Sequence, residues 1–188
     1  MNGYLAYLSY ISQKLSDAFE NQKHYIFCKR GCAKCCKNSR YFYSKAEFEF
    51  LYQGFLNLDK NMQNKVLANI EKIKKERKSN DDTYICPFLI DETCSIYNYR
   101  GIICRTFGLA QIGKNNEIKV PFCTYEGLNY SNVFDFETNK FSEEKYKNLK
   151  FDTEPKLYNF AYFNIVDEEI AKLFGFEFGD IKPLVDWF

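Results

Sequence analysis

Four cysteines fall within nine residues, in the run Cys28-Lys29-Arg30-Gly31-Cys32-Ala33-Lys34-Cys35-Cys36. A loop with Gly31 and the cations Lys29, Arg30, Lys34 and Lys37 in or beside it does not bury well. These thiols are therefore not expected to be inert core residues. Soft thiolates at such spacing suit zinc or an iron–sulfur cluster. Cys86, Cys94, Cys104 and Cys123 bring the total to eight, enough for two four-thiolate sites or one site with spares.

The thiols are expected to be reduced. The N-terminus lacks a basic start followed by an unbroken apolar run, because Gln13, Lys14, Ser16 and Asp17 interrupt the first apolar stretch. No apolar run is long enough to span a bilayer. The expected compartment is the cytoplasm, where glutathione and thioredoxin keep thiols reduced and argue against a disulfide framework. A length of 188 residues suits one domain with a core, and the 46% hydrophobic share makes it globular. The 19 Phe and 15 Tyr are read as a codon bias toward A and T rather than a base-stacking surface. Residues 1–80 carry 15 Lys/Arg against 7 Asp/Glu, and residues 81–188 carry 11 against 18. That asymmetry could guide a protein partner, but a net charge of +1 is unlike a nucleic-acid-binding domain.

Along the chain, Tyr4, Leu5, Tyr7, Leu8, Ile11, Leu15, Ala18 and Phe19 predict a helix over 3–24. His24, the only histidine, reads as a solvated helix end rather than a ligand. Ser44-Lys45-Ala46-Glu47 reads as a capping box opening a helix with Phe48, Leu51, Tyr52, Phe55 and Leu56 on its apolar face. A second helix carries Met62, Val66, Ile70 and Ile73 and ends in a basic tail that suits a helix C-terminus. Hairpins are predicted around Asp91-Glu92-Thr93, with cysteine on both arms, and around Lys114-Asn115-Asn116. A short helix is expected over 98–107, a helical pattern over 157–163, and a helix from Asp167 to a Gly175 stop. Trp187, the single tryptophan, is expected to dock on the core. No Ser/His/Asp set, paired-carboxylate motif, phosphate loop or Gly-rich nucleotide fingerprint points to a conventional hydrolase, kinase or dehydrogenase.

Cys28-x3-Cys32-x2-Cys35 has the spacing of the cluster loop of radical S-adenosylmethionine enzymes. The chain lacks the alternating strands and helices of their barrel, and Lys34 stands where that loop has an aromatic residue. All eight cysteines together give a better match. The run Cys32-Ala33-Lys34-Cys35-Cys36, then Cys86-Pro87-Phe88-Leu89, then Cys94-Ser95-Ile96-Tyr97-x2-Arg100-x3-Cys104-Arg105-x-Phe107, resembles the CxxCxxCC family. These are bacterial and archaeal proteins named for chelating zinc or iron, and Cys123 resembles their last cysteine. Two positions depart from the pattern: three residues rather than two separate Cys28 from Cys32, and Gly101 replaces a proline. The family includes flagellin lysine methylases, so the resemblance implies an iron–sulfur cluster, 4Fe-4S in the first instance, or zinc. It implies Cys28, Cys32, Cys35, Cys36, Cys86, Cys94, Cys104 and Cys123 as ligands. Arg100 and Arg105 would support them without binding metal, since nearby cations favour thiolates.

The expected fold is α+β and mainly helical: one small cysteine-rich, metal-centred domain over 1–188 with short hairpins. Its core motifs would be 28–40 and 84–125, with a helical insertion at 44–80 and a helical C-terminal extension at 126–188. Two functions fit, a methyl-transfer or redox component, or a closed structural zinc module that binds a protein partner. Cys35 and Cys36 are expected to do different jobs, because neighbours diverge by about 100° on a helix and to opposite sides of a strand. Either each faces its own site, or one binds metal and the other packs against Phe42 or Phe48.

Overall fold

The computed structural model describes residues 1–188 apart from Arg30 and Lys114, and apart from the side chain of Phe163. The part of the cysteine-loop charge assigned to Arg30, the start of the turn at Lys114 and the packing of Phe163 thus lie outside the described residues.

The chain opens with α1 (Asn2–Gln22), then α2 (Lys34–Lys37), β1 (Phe42–Ser44), α3 (Lys45–Leu56) and α4 (Lys60–Glu76). Next come β2 (Leu89–Ile90), β3 (Thr93–Cys94), α5 (Ile102–Thr106), β4 (Gln111–Ile112) and β5 (Ile118–Lys119). The remainder holds β6 (Phe134–Asp135), β7 (Lys140–Phe141), α6 (Glu143–Asn148), α7 (Tyr162–Ile165), α8 (Glu168–Leu173) and β8 (Ile181–Pro183). With its short 3₁₀ turns the chain is close to half helical, and its sheets have two strands each: the fold is mainly helical α+β.

Packing groups the chain into two compact units. The first comprises Met1–Leu8, Arg30–Arg105 and Val166–Phe188; the second comprises Ser9–Lys29 and Thr106–Ile165.

In the first unit the capping box forms as read: Ser44 accepts from the Glu47 amide, and the Glu47 side chain reaches back to Ser44. Asp59 caps α4 in the same way, by accepting from the Met62 amide at 2.8 Å. The apolar faces of α3 and α4 meet through Leu51, Phe55, Val66 and Ile70, with Leu184 and Val185 in the same core. β1 pairs antiparallel with β8, Tyr43 opposite Lys182. Trp187 docks: its ring stacks on Phe48 at 5.3 Å and its indole N–H donates to the Tyr43 carbonyl at 3.0 Å. Tyr4 and Tyr7 pack edge-on against Phe176, Phe174 and Phe178, so much of the aromatic surplus goes into ring packing.

In the second unit Tyr25, Tyr130, Val133, Phe134 and Phe141 form the core. The wholly buried Gln22 accepts from the Ala110 amide and donates to its carbonyl, both at 3.0 Å. Its amide is thereby satisfied, as burial demands. His24 is exposed beside the Phe151 ring, 5.3 Å away.

The tail departs from the helical reading. Residues 126–165 hold the β6–β7 hairpin, whose turn is tied by Asp135 accepting from the amides of Glu137 and Thr138. The helical pattern at 157–163 yields to a bridge between Tyr158 and Gln111, and Ile112 donates to the Tyr158 carbonyl at 3.0 Å. A tertiary partner overrides the local period there. The helix from Asp167 forms as expected, capped by Asp167 and followed by Gly175 at a φ of 71°. Among the described residues, no helix is long and apolar enough to cross a membrane.

Candidate metal centre

All eight cysteines are thiols. The first unit carries Cys32, Cys35, Cys36, Cys86, Cys94 and Cys104, and the second carries Cys28 and Cys123.

Four local structures deliver these thiols of the first unit: α2, the segment before β2, β3 and α5. Cys35 and Cys36 ride on α2, whose first turn closes through the Cys36 amide on the Ala33 carbonyl. Cys86 is tied to α2 directly, its amide donating to the Cys36 carbonyl at 2.7 Å. Ser39 and Tyr84 reinforce that tie by exchanging backbone bonds of 2.9 Å. Cys94 lies on β3, opposite Leu89 on β2. The turn between these strands is Asp91–Glu92, with φ of 49° and 59°. Both values are positive, as a two-residue hairpin turn requires, although neither residue is the glycine that would announce it. Cys86 thus precedes the hairpin, and only Cys94 sits on a strand.

Cys104 comes from α5, and α5 is held by α3. The Glu47 carboxyl, fully buried, accepts the Ile102 amide at 2.8 Å through Oε1. Through Oε2 it accepts the Ser44 amide at 3.0 Å and the Ser44 hydroxyl at 2.9 Å. Gly101 explains itself at this point. A Cβ there would stand 2.5 Å from Tyr43 Cε1 and 3.0 Å from Glu47 Oε1. Glycine lets the Tyr43 ring come in close, and the Tyr43 hydroxyl then lies 3.1 Å from Cys104 Sγ.

The thiols feel one another. Cys35 and Cys36 have sulfurs 4.0 Å apart. The hydrogen bond from Cys36 holds Cys35 down to about 7. Cys36 is pushed far above the thiol range because it donates its proton to Cys35, with burial and the charges of Cys35, Cys86 and Cys104 adding to this. Burial, then the charge of Cys104, raises Cys86, and burial raises Cys94 against the pull of the Ile96 amide and Arg100. Burial carries Cys104 up to about 12, opposed first by the Tyr43 hydroxyl. Cys35, Cys36, Cys86, Cys94 and Cys104 therefore form one electrostatically linked group, with Cys86, Cys94 and Cys104 packed on the apolar core. Cys36, Cys86, Cys94 and Cys104 resist ionising on their own, and a bound cation would reverse that.

The Cys35 and Cys36 sulfurs lie 4.0 Å apart, and both thiols interact electrostatically with Cys86 and Cys104. Cys32 lies half-buried three residues ahead of Cys35. In the second unit Asn129 donates to Cys28 Sγ at 3.2 Å and accepts the Phe27 amide at 2.8 Å. Cys123 is buried, and its charge, like that of Cys28, raises Tyr130 after burial has done so.

The two arginines differ. Arg100 lies over the Tyr97 ring at 3.5 Å, and its charge favours the thiolates of Cys35, Cys94 and Cys104. Arg105 donates to the carbonyls of Arg100 and Asn98 at 3.0 Å each, so it braces the turn before α5. A cleft of about 650 Å³ is lined in part by Lys37, Tyr84 and Ile85, the chain neighbours of Cys36 and Cys86.

A family model described as "putative zinc- or iron-chelating domain" matches residues 27–124. The chain belongs to the CxxCxxCC family. The CxxCxxCC span contains all eight cysteines and runs through α2, α3, α4 and α5. No curated protein and no solved structure matches the chain.

The family's description names zinc or iron chelation, and the donors suit that chemistry: five soft sulfurs, a nearby arginine and a hydroxyl on one of the sulfurs. Among the described residues, no three His, Cys, Asp or Glu side chains converge as ligands of a single ion. Tyr43 and the second task of Glu47 escape a sequence reading, since Glu47 shows only as half of a capping box.

Proposed function

We propose that the first unit houses a metal centre held by Cys35, Cys36, Cys86, Cys94 and Cys104, and that the metal is an iron–sulfur cluster, 4Fe-4S in the first instance. The observation that carries this is the grouping of these thiols: the Cys35 and Cys36 sulfurs lie 4.0 Å apart, the Cys86 amide donates to the Cys36 carbonyl at 2.7 Å, and Cys86, Cys94 and Cys104 pack on one apolar core. Cysteine thiolates are the usual ligands of such clusters, and all five donors are cysteines. Bound there, such a group supplies one-electron chemistry. The domain then acts in a reducing compartment, the cytoplasm, as a redox or methyl-transfer component beside a protein partner. Cys28, Cys32 and Cys123 complete the family's ligand candidates.

One observation favours a closed structural zinc site instead. Two thiolates on one tetrahedral zinc lie about 3.8 Å apart, from a Zn–S distance of about 2.3 Å, and Cys35 and Cys36 stand 4.0 Å apart.

Single Cys→Ser variants at the five positions, purified anaerobically with metal counted per chain, test the reading. A four-iron cluster takes about four thiolates, so at least four of the five variants are expected to lose the metal. Full metal content in two or more variants would refute the proposed ligand set.

A further inference from the structure

We propose that Tyr43 is a positioning residue of this centre: its hydroxyl donates to Cys104 Sγ and, with Glu47 and Gly101, sets that thiolate in place as a ligand. The inference rests on the metal-centre reading above.

Tyr43 is almost wholly buried and held at three points. Its backbone pairs with Lys182, its carbonyl accepts the Trp187 indole N–H, and its ring fills the space that Gly101 leaves. The packed ring holds the hydroxyl oxygen 3.1 Å from the Cys104 sulfur. One carboxyl group ties both ends of this contact. Glu47 accepts from Ser44, the residue after Tyr43, and from Ile102, two residues before Cys104. The distance between hydroxyl and sulfur is thereby fixed from both sides.

A purely structural tyrosine does not need sulfur as its acceptor. Tyr41 and Tyr25 give their protons to backbone carbonyls, those of Cys35 and Thr153. A neutral thiol accepts weakly, whereas a thiolate accepts strongly. A donor locked onto sulfur gains most when that sulfur is ionised and metal-bound. Hydrogen bonds from outside the ligand set orient the ligand and tune the metal, and losing one costs about 10–100-fold in metal affinity.

Tyr43→Phe keeps the ring and removes only the hydroxyl. Tyr84→Phe is the comparison: its hydroxyl is buried near Cys86 but makes no hydrogen bond to a thiol. Both are purified anaerobically alongside the unaltered chain. The thiolate-to-metal absorption and the rate of metal loss to excess EDTA are then recorded, with cobalt exchanged in if the metal is zinc. Tyr43→Phe is expected to fold, to shift the absorption band and to lose metal about tenfold faster or more, with Tyr84→Phe matching the unaltered chain. A metal-loaded Tyr43→Phe with an unmoved band and unchanged loss rate overturns the inference and leaves the metal centre standing. Equal shifts in both variants overturn it too, because they show a general loosening. An unaltered chain that carries no metal overturns the metal centre itself.

Discussion

Glu47→Ala is expected to destabilise the protein by about 3–5 kcal/mol, near the upper end for one substitution. The buried carboxyl accepts from the Ser44 amide, the Ser44 hydroxyl and the Ile102 amide. Alanine leaves these three donors buried without it, at about 1–3 kcal/mol each, less whatever water enters the vacated space. For a chain of this size the melting temperature should fall by on the order of 10 °C. Glu47→Gln keeps the shape and one acceptor oxygen, and about 1–2 kcal/mol is expected. Glu49→Ala, on the exposed side of α3, should stay within about 0.5 kcal/mol. Denaturant unfolding followed by circular dichroism measures all three. A cost below about 1 kcal/mol for Glu47→Ala would show that the carboxyl does not hold α3 to the start of α5.

Stripping the metal should have the larger effect, confined to the stretches that carry thiols. Structural zinc in small domains binds with about 10–16 kcal/mol, more than any one side chain here contributes. Cys86 lies in the segment before the hairpin, and Cys94 and Cys104 are held by short elements, a hairpin of two-residue strands and a five-residue helix, which have little stability of their own. α4 is long, capped and packed through Val66 and Ile70. Hydrogen exchange with and without chelator should therefore show amides over 84–104 exchanging at least about a hundredfold faster in the stripped protein. The Cys86 amide, bonded to the Cys36 carbonyl, is a direct reporter. α4 should change little. Equal protection over 84–104 in both states would mean the metal is peripheral to the fold.

What could be read from the sequence was local. The capping box at Ser44 and Glu47, the helix from Asp167 and the cysteine-bearing hairpin each rest on residues a few positions apart. The family was legible for the same reason, since Cys94-Ser95-Ile96-Tyr97 through Arg105 is a short, specific run. What stayed hidden depends on distant contacts. Glu47 and Ile102 are 55 residues apart, and Tyr43 and Cys104 are 61 apart. Neither pairing leaves a periodic trace. The division of the cysteines is likewise a product of tertiary packing, because spacing alone could not tell Cys104, packed on the core of the first unit, from Cys123, buried in the second. Arg100 and Arg105 were both legible as nearby cations, but the bracing of the turn before α5 by Arg105, through the carbonyls of Arg100 and Asn98, was not.

Quantifying iron, acid-labile sulfide and zinc in anaerobically purified full-length protein tests the central claim most directly. A brown protein with about four irons and four sulfides per chain is expected. Stoichiometric zinc without sulfide would replace the cluster with the zinc reading, and fully folded protein carrying neither metal would contradict the metal centre altogether.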